Sequence, residues 1–254
     1  MIEVHPTAVV SPRAKLAEGV VVGPLCIIGD DVEIGPGCRL IAACTLLGPT
    51  SLGEGNVVHP YAVLGGDPQD RSHAGQATRL DVGARNVFRE HVTVHRGTAK
   101  DRGATIIGDD GLFMAGSHVA HDVVVGSGVT LANGTLLGGH VMVGDCVNTG
   151  GGAAVAPFVR IGEGAFIAAG AMVEIDVPPF VIVAGDRARV RALNRVGLRR
   201  QGVPDASRRA LAAAFRTIFG KTSTRTASLR TVPENLARDP YVQKLVGFLA
   251  HSPE

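Results

Sequence analysis

An aliphatic residue recurs at every sixth position through most of this chain. The series starts at Val10 and reaches Leu64 without a miss, and Gly directly follows five of its members. A period of six is neither the 3.6-residue period of a helix nor the alternation of a half-buried strand. It predicts short strands joined by regular corners, each strand turning one aliphatic side chain inward. Such hexapeptide periodicity is typical of a parallel β-helix.

The repeat continues downstream with a single change of phase. It resumes in the first phase at Val82 and Val94, and after a slip of one residue it runs from Ile107 to Val173. Only Thr149 interrupts the apolar series in that second run. Three such strands would close one coil of 18 residues, with neighbouring coils about 4.8 Å apart. We therefore predict a mainly β chain, built as a parallel β-helix of hexapeptide repeats.

Two stretches and the C-terminal quarter do not follow the repeat. Residues 66–78 and 97–104 are expected to be extruded loops, and loops of this kind often carry the function of a solenoid. A helix is predicted from Asp205 to Phe219, and Asp239-Pro240 is typical of the start of another. The predicted domains are a β-helix over residues 1–185 and a small helical domain over residues 186–254.

Composition excludes several classes of protein. The formal net charge of +2 disfavours a nucleic-acid binder that depends on a strong positive field. No apolar run approaches the roughly 18 residues of a membrane span, and the first residues lack the pattern of a signal peptide. We therefore expect a cytoplasmic protein without integral membrane contact. Among the four cysteines, Cys26, Cys38 and Cys44 stand at small inward positions and are expected to fill the core.

The predicted coil length indicates which polar residues are stacked. His121 precedes Gly139 by one full coil, and Asp122 precedes His140 by the same interval. An imidazole beside a backbone N–H suits acyl transfer, because the imidazole can act as general base on a hydroxyl and the N–H can stabilise an oxyanion. A carboxylate beside a second imidazole can fix the tautomer of that ring. His121 and Gly139 are the predicted catalytic residues.

The same histidines allow two other interpretations. His118, His121 and His140 resemble the three-histidine zinc site of β-helical carbonic anhydrases, which would make the chain a zinc hydrolyase. In an extended chain, however, residues three apart point to opposite faces unless a corner lies between them. The β-helix could also be a non-catalytic scaffold.

Several short strings give the chain a more specific resemblance. Together they are similar to the UDP-N-acetylglucosamine O-acyltransferases that begin lipid A synthesis, over nearly the whole length. The most specific strings are His95-Arg96-Gly97-Thr98 and His118-Val119-Ala120-His121-Asp122. The others are Val4 to Ala8, Gln69-Asp70, Ala74-Gly75, Leu131-Ala132-Asn133, Gly139-His140, Asp176 to Pro179 and Gly197 to Arg200.

The resemblance implies a fold, an assembly and a reaction. It implies a left-handed β-helix and a homotrimer with active sites between adjacent subunits. The reaction would move a 3-hydroxyacyl chain from acyl carrier protein to the 3-hydroxyl of UDP-N-acetylglucosamine. It would use neither metal nor cofactor, because the phosphopantetheine arrives on the carrier protein.

The resemblance also assigns roles to individual residues. His121 would be the general base and Gly139 the oxyanion donor. The sugar would be held by a polar set that comprises Gln69, Asp70, His118, Asp122 and His140. Asn194 and Arg200 would meet the nucleotide, and Ala168 and Ala169 would line the acyl-chain pocket. Tail arginines such as Arg187, Arg189, Arg191 and Arg199 would suit an acidic carrier protein.

Some positions depart from the family pattern. Ser72 stands where the family usually has Lys, and Ala156-Pro157 replaces a His-Gln pair one coil above the predicted site. Val196 and Gln201 replace a Glu and an Arg in the tail. The acceptor could therefore be a 3-amino analogue of the sugar, which would give an amide, or another nucleotide sugar. Nothing bulky stands at Ala169, which favours a long acyl chain.

Overall fold

The computed structural model describes residues 1–220, 229 and 231–252. Three sheets form the sides of the solenoid, and the chain moves to the next sheet with each successive strand until the last two strands, which both join the first sheet. We name them sheets A, B and C in the order in which the chain enters them. All described strand pairs are parallel except the last, between Val181–Ala184 and Arg189–Leu193.

The strands are short, most of them two residues long. Sheet A contains β1 Glu3–Val4, β4 Val21–Val22, β7 Arg39–Leu40, β10 Val57–Val58, β13 Val87–Phe88, β16 Leu112–Phe113, β19 Thr130–Leu131, β22 Asn148–Thr149, β25 Phe166–Ile167, β27 Val181–Ala184 and β28 Arg189–Leu193. Sheet B contains β2 Val9–Val10, β5 Ile27–Ile28, β8 Thr45–Leu46, β11 Val63–Gly66, β14 Thr93–His95, β17 His118–Val119, β20 Leu136–Leu137, β23 Ala154–Val155 and β26 Met172–Val173. Sheet C contains β3 Lys15–Leu16, β6 Val32–Ile34, β9 Thr50–Leu52, β12 Arg79–Val82, β15 Ala104–Ile107, β18 Val124–Val125, β21 Met142–Val143 and β24 Arg160–Ile161.

Strand pairing confirms the predicted coil length. In uninterrupted coils, partners such as Val124 and Met142 are separated by one predicted coil length. The spacing grows to 30 for Val57 and Val87, across the first loop, and to 25 for Val87 and Leu112, across the second. The first loop, residues 67–78, and the second loop, residues 96–103, therefore leave the solenoid without disturbing the coils around them.

The inward positions form one continuous apolar core. Val22 and the later aliphatic members of the series are buried, whereas Val10 and Leu16 are only half-buried because no coil lies beneath the first one. Thr149 occupies an inward position, and its hydroxyl is hydrogen-bonded to that of Thr135 at 2.7 Å. The three inward cysteines are fully buried, as predicted.

Two buried asparagines close the corner between sheets C and A. Asn86 donates its backbone N–H to Asn56 Oδ1 at 2.9 Å, and its own Oδ1 accepts from Gly111 N at 2.7 Å. The side-chain amide of Asn86 donates to Gly108 O, and that of Asn56 donates to Gly53 O and Gly83 O. The ladder satisfies backbone groups that the turn leaves unpaired, so the coils of Asn56 and Asn86 need no apolar residue at this corner.

The helical part follows the last coil. The antiparallel pair β27–β28 continues the sheet to Leu193, past the predicted domain boundary at residue 185. The helices that the described residues form are α1 Arg195–Arg200, α2 Asp205–Phe219, α3 Glu234–Ala237 and α4 Pro240–Ala250. The bounds of α2 are those predicted from the sequence. Asp239 caps α4 by accepting hydrogen bonds from Tyr241 N and Val242 N, with Pro240 in the first turn.

The helices pack on the end of the solenoid through a second apolar cluster that includes Phe180, Leu211 and Leu245. Lys244 pairs with Glu163 at 2.6 Å, which fixes α4 to the last coil. The predicted helical domain also includes residues 221–228, 230 and 253–254, which lie outside the described residues. Among the described helices, none combines the length and the apolar character that crossing a membrane requires.

Candidate active site

Both extruded loops and the histidine cluster lie at one corner of the solenoid. The first loop joins β11 to β12, the second joins β14 to β15, and His121 follows β17, so each is a passage from sheet B to sheet C. Parallel stacking brings successive passages of this kind side by side. We refer to this edge as the B–C corner.

The residues of the B–C corner stack as the predicted coil length requires. The His140 N–H donates to His121 O at 3.0 Å, and the Phe158 N–H donates to Gly139 O at 3.0 Å. Asp122, His140 and Phe158 form a column in which every residue has a positive φ, at 60°, 62° and 67°. This conformation is uncommon for residues with a side chain, most of all for a bulky one. Asp and His adopt it more readily than most residues, so Phe158 is the bulky exception in this column.

His121 is paired with a buried carboxylate. Its Nδ1 lies 2.9 Å from Oδ2 of Asp122, whose side chain is fully buried. The same carboxylate accepts from the backbone N–H of Thr98 at 2.9 Å and from its hydroxyl at 2.7 Å. Because an ionised carboxylate only accepts, Nδ1 carries the proton and Nε2 keeps a lone pair. His121 is thus prepared to act as a base through Nε2.

Gly139 lies against the His121 ring. A Cβ at residue 139 would stand 2.7 Å from His121 Cε1 and 2.9 Å from Nε2, so the close contact requires glycine. None of the described residues accepts a hydrogen bond from the Gly139 N–H. A free backbone donor therefore lies beside the nitrogen that can act as base, which is the arrangement that stabilises an oxyanion.

The pairing of His140 differs from the one predicted. Its Nε2 lies 3.8 Å from Asp122 Oδ2, too far for a hydrogen bond, because that carboxylate is turned toward His121. The carboxylate that contacts His140 is Asp101 of the second loop, 3.1 Å from Nδ1. The His140 ring also stacks on Phe158, with centroids 4.5 Å apart, and meets His121 edge-on.

Two further histidines lie next to this group. His118 is hydrogen-bonded through Nδ1 to the Thr93 hydroxyl at 2.7 Å, and His95 meets its ring edge-on. Burial, and then the nearby His118, lower the pKa of His95 to about 4. Burial also lowers the pKa of His118, with His121 as the second cause. Both rings are therefore neutral near pH 7.

The first loop contributes Asp70 to the same corner. Its carboxylate accepts from the N–H and hydroxyl of Ser72 and pairs with Lys100 of the second loop at 2.9 Å. The hydrogen bond from Ser72 N, followed by that from Lys100, lowers the pKa of Asp70. Gln69 is exposed on the same loop. The two loops are thus joined by an ion pair beside the histidines.

Sequence reasoning missed three residues of the second loop. Thr98, Lys100 and Asp101 contact Asp122, Asp70 and His140 respectively. Thr98 could have been predicted from the sequence, because it belongs to the string His95-Arg96-Gly97-Thr98 that carries the family resemblance. Lys100 and Asp101 lie outside the repeat, so the coil length says nothing about their neighbours.

Other predicted residues lie elsewhere in the chain. Ala168 and Ala169 are at the corner between sheets A and B, the former half-buried and the latter exposed. Asn194 is buried and caps α1, accepting from Gly197 N and donating to Gly164 O. Arg200 is exposed in the last turn of α1. A single chain therefore does not gather the nucleotide and acyl-chain residues around His121.

The departures from the family pattern have distinct surroundings. Pro157 is exposed and Ala156 half-buried in the coil above Gly138 and Gly139, and neither side chain has a hydrogen-bonding group. Val196 is about half exposed on α1. Gln201 caps the C-terminus of α1, with its side-chain amide against Gly164.

A cavity with a charged lining lies away from the B–C corner. It has a volume of about 640 Å³ and lies between α1 and α2. Its charged lining is dominated by five arginines, with one acidic residue; they are Arg195, Arg199, Arg208, Arg209, Arg216 and Asp205. Only Arg199 among these arginines was singled out from the sequence. The cavity suits an anionic or phosphorylated group.

The three-histidine set of the zinc hypothesis is not the group that the fold brings together. Among the described residues, the ligand atoms of His121, Asp122 and His140 lie within 4.8 Å of one another and could hold a metal ion. His118 is absent from this group, and its Nδ1 is occupied by Thr93.

Comparisons with known proteins identify relatives of nearly the whole chain. The family described as "Udp N-acetylglucosamine O-acyltransferase; Domain 2" matches residues 176–254. The acyl-[acyl-carrier-protein]–UDP-N-acetylglucosamine O-acyltransferase of Caulobacter vibrioides is 48% identical, covering 97% of this chain and 94% of its own. The enzyme of the same name from Thermodesulfovibrio yellowstonii is 40% identical over 98% of this chain and 96% of its own.

A solved structure matches the whole architecture. The UDP-N-acetylglucosamine O-acyltransferase of Moraxella catarrhalis superimposes with a TM-score of 0.94 at 34% identity, covering 99% of this chain and 98% of that one. The fold of this chain is thus the left-handed parallel β-helix with a C-terminal helical part, as predicted. The histidine corner, the two loops and the helical tail are all included in the matched length. The chain therefore belongs to the family of acyl-[acyl-carrier-protein]–UDP-N-acetylglucosamine O-acyltransferases.

Proposed function

We propose that this chain transfers a 3-hydroxyacyl group from acyl carrier protein to the 3-hydroxyl of UDP-N-acetylglucosamine, the first step of lipid A synthesis. The observation that carries the proposal is the His121–Asp122 pair beside the unpartnered N–H of Gly139. The names of the relatives support the two substrates.

The reaction uses this corner in a defined order. Nε2 of His121 takes the proton of the sugar hydroxyl as its oxygen attacks the thioester carbonyl. The carbonyl oxygen gains negative charge and is stabilised by the Gly139 N–H. The C–S bond then breaks, and the sulfur of phosphopantetheine leaves with the proton from the imidazolium. Buried Asp122 stabilises the positive charge on His121 while it holds that proton.

The acceptor sugar is proposed to lie between the loops and the histidines. Asp70, His118 and His140 offer hydrogen-bonding groups there, with Gln69 at the loop edge. Both oxygens of Asp70 are already engaged by Ser72 and Lys100, which keeps the carboxylate ionised and fixed in place as an acceptor.

An outward apolar column favours acyl-chain binding. Directly above His118 on sheet B, the outward residues of successive coils are Leu136, Ala154 and Met172. Leu136 and Met172 are 49% and 45% exposed, so this surface is apolar and open in one chain. With Ala168 and Ala169 as the small lining at the next corner, it supports a long acyl chain.

We also propose a homotrimer whose sites are completed across subunits. The His121 corner, the Ala169 corner and α1 face different directions in one chain, so Asn194 and Arg200 could reach a nucleotide bound at His121 only from a neighbouring copy. The arginine cavity between α1 and α2 is proposed to meet the acidic carrier protein or its phosphate. The carrier-protein donor makes the cytoplasm the proposed location.

One observation favours a second acceptor. The coil above Gly139 presents Ala156 and Pro157 in place of the usual His-Gln pair, and their side chains offer no hydrogen bond to a sugar amide or hydroxyl. A 3-amino analogue of the sugar, which would yield an amide, is therefore the alternative acceptor.

A competition assay tests the proposal. Several 3-hydroxyacyl carrier proteins are offered with equal amounts of UDP-N-acetylglucosamine and its 3-amino analogue, and the products are identified by mass spectrometry. We expect an ester on the normal sugar, formed at the same rate in EDTA because no metal or cofactor takes part. An amide as the main product would identify the analogue as the acceptor, and no product with either sugar would contradict the proposal.

A further inference from the structure

The second loop contacts three separate parts of the B–C corner within a short stretch of chain. Thr98 donates to buried Asp122, Lys100 pairs with Asp70 of the first loop, and Asp101 contacts His140. The loop is therefore anchored on both sides of the predicted acceptor position. Thr98 and Lys100 fix its course, which leaves Asp101 with a defined place rather than a free surface position.

Asp101 determines which nitrogen of His140 is occupied. Its Oδ2 is 3.1 Å from Nδ1, so an ionised carboxylate requires a proton on that nitrogen. Nη2 of Arg102 lies 3.7 Å from the same oxygen. The carboxylate oxygen nearest to Nε2 of His140 is Oδ2 of Asp122, at 3.8 Å. Because this distance is too long for a hydrogen bond, Nε2 has no hydrogen-bond partner among the described residues.

The remaining surroundings limit how the ring can turn. Phe158 stacks on one face of His140 with only 5° between the planes, and His121 meets it at 86°. These contacts restrict tilting, but neither distinguishes the two ring nitrogens. That selection comes from Asp101.

We propose that Asp101 is a positioning residue for acceptor binding, which holds His140 with its proton on Nδ1 and thereby presents Nε2 to the bound sugar nucleotide. The identity of that acceptor rests on the proposed function, whereas the pairing itself does not. Carboxylate–histidine pairs fix tautomers in this way at metal and catalytic sites.

Kinetics with two substitutions test the role. In Asp101→Ala, we expect the KM for UDP-N-acetylglucosamine to rise about tenfold, or ~1.4 kcal/mol, with kcat within about twofold. Asp101→Asn should recover most of this loss, because the amide oxygen still accepts from Nδ1. Glu33→Ala removes an exposed carboxylate paired with Lys15 on sheet C and is the control that should change neither constant. An unchanged KM in Asp101→Ala would overturn the proposal.

A spectroscopic arm decides the inference without any turnover. Histidine labelled with ¹³C at Cδ2 reports which ring nitrogen is protonated, and His140→Gln identifies the His140 signal among the nine histidines. We expect the signal of the Nδ1-protonated ring in the native protein and a shift toward the other tautomer in Asp101→Ala. Glu90→Ala, which removes the carboxylate 3.3 Å from His59 Nδ1, should leave the His140 signal unchanged.

The two arms separate the possible failures. A His140 signal that does not respond to Asp101→Ala overturns the positioning role, whatever the enzyme transfers. A signal that shifts as expected, in a protein that acylates no UDP-sugar, leaves the Asp101 inference standing and contradicts the proposed function. Thermal unfolding of both Asp101 variants at the native temperature establishes that the changes are local.

Discussion

Two corners of the same solenoid handle polar groups in opposite ways. At the corner between sheets C and A, Asn56 and Asn86 are fully buried, and their amide groups are committed to backbone partners. At the B–C corner, Nε2 of His121 and the N–H of Gly139 have no partner among the described residues. Both corners are built by the same repeat, so the fold alone does not separate them.

The difference lies in hydrogen-bonding capacity that the chain leaves unused. A satisfied buried amide stabilises the fold and has nothing left for a ligand. A histidine with one nitrogen fixed by a carboxylate and the other free is oriented and still able to react. Burial of a polar residue is therefore weak evidence for function, and an oriented group with a free partner position is stronger evidence. Substitutions at the two corners should separate activity from stability.

His121→Ala should have the largest effect. It removes the base while the carboxylate of Asp122 keeps its hydrogen bonds from Thr98, so we expect kcat/KM to fall at least ~10²-fold with little change in unfolding temperature. His91→Ala is the control, because it removes an exposed imidazole at the corner between sheets A and B. Equal losses in the two variants would contradict the role of His121, and full activity in His121→Ala would favour a scaffold.

Gly139→Ala tests the second group of the B–C corner, the backbone N–H beside His121. The added Cβ would stand 2.7 Å from His121 Cε1, so the ring must move away from its place beside the N–H. A displacement of this size is expected to reduce kcat by about 10²-fold. Gly151→Ala, where the nearest atom to the new Cβ is 3.5 Å away, should remain active. Single-turnover measurements of the chemical step would show the difference.

Asn86→Ala tests the other corner. It leaves Gly111 N and Gly108 O without their partners in the core, so we expect a loss of about 2 kcal/mol in the free energy of unfolding. The kcat/KM of the folded protein should not change. Asn148→Ala removes a half-buried amide with a single backbone contact and should cost much less. Urea unfolding followed by circular dichroism gives both values, and a large kinetic defect in folded Asn86→Ala would break the distinction.

The stacking of residues at the B–C corner could be predicted from the sequence, because the hexapeptide repeat has no slip between Ile107 and Val173. That regularity correctly stacked His121 under Gly139 and Asp122 under His140. Stacking fixes the backbone and not the side-chain direction, which is why the carboxylate of Asp122 contacts His121 instead of His140.

Contacts made by the extruded loops could not be predicted in the same way. Lys100 and Asp101 are placed by the path of the second loop, which has no period, and Asp70 finds its cation on a different loop from its own. Asn56 and Asn86 were also missed, because they replace apolar residues at inward positions of the core without breaking the pattern of burial. The helices were easier, since their caps and apolar faces are local signals.

The coil of three equal strands also limits how such a gene can change in length. An insertion of one hexapeptide between Asp122 and Gly139 would keep the inward aliphatic series in phase. It would also move every later strand to the next sheet, and this would separate His121 from Gly139. A duplication of one whole coil beyond Phe158 would keep every later strand in its original sheet and would leave the active site intact. The apolar core therefore tolerates insertions of one hexapeptide strand. The active site tolerates only insertions of a full coil, and only where they do not fall between His121 and Gly139.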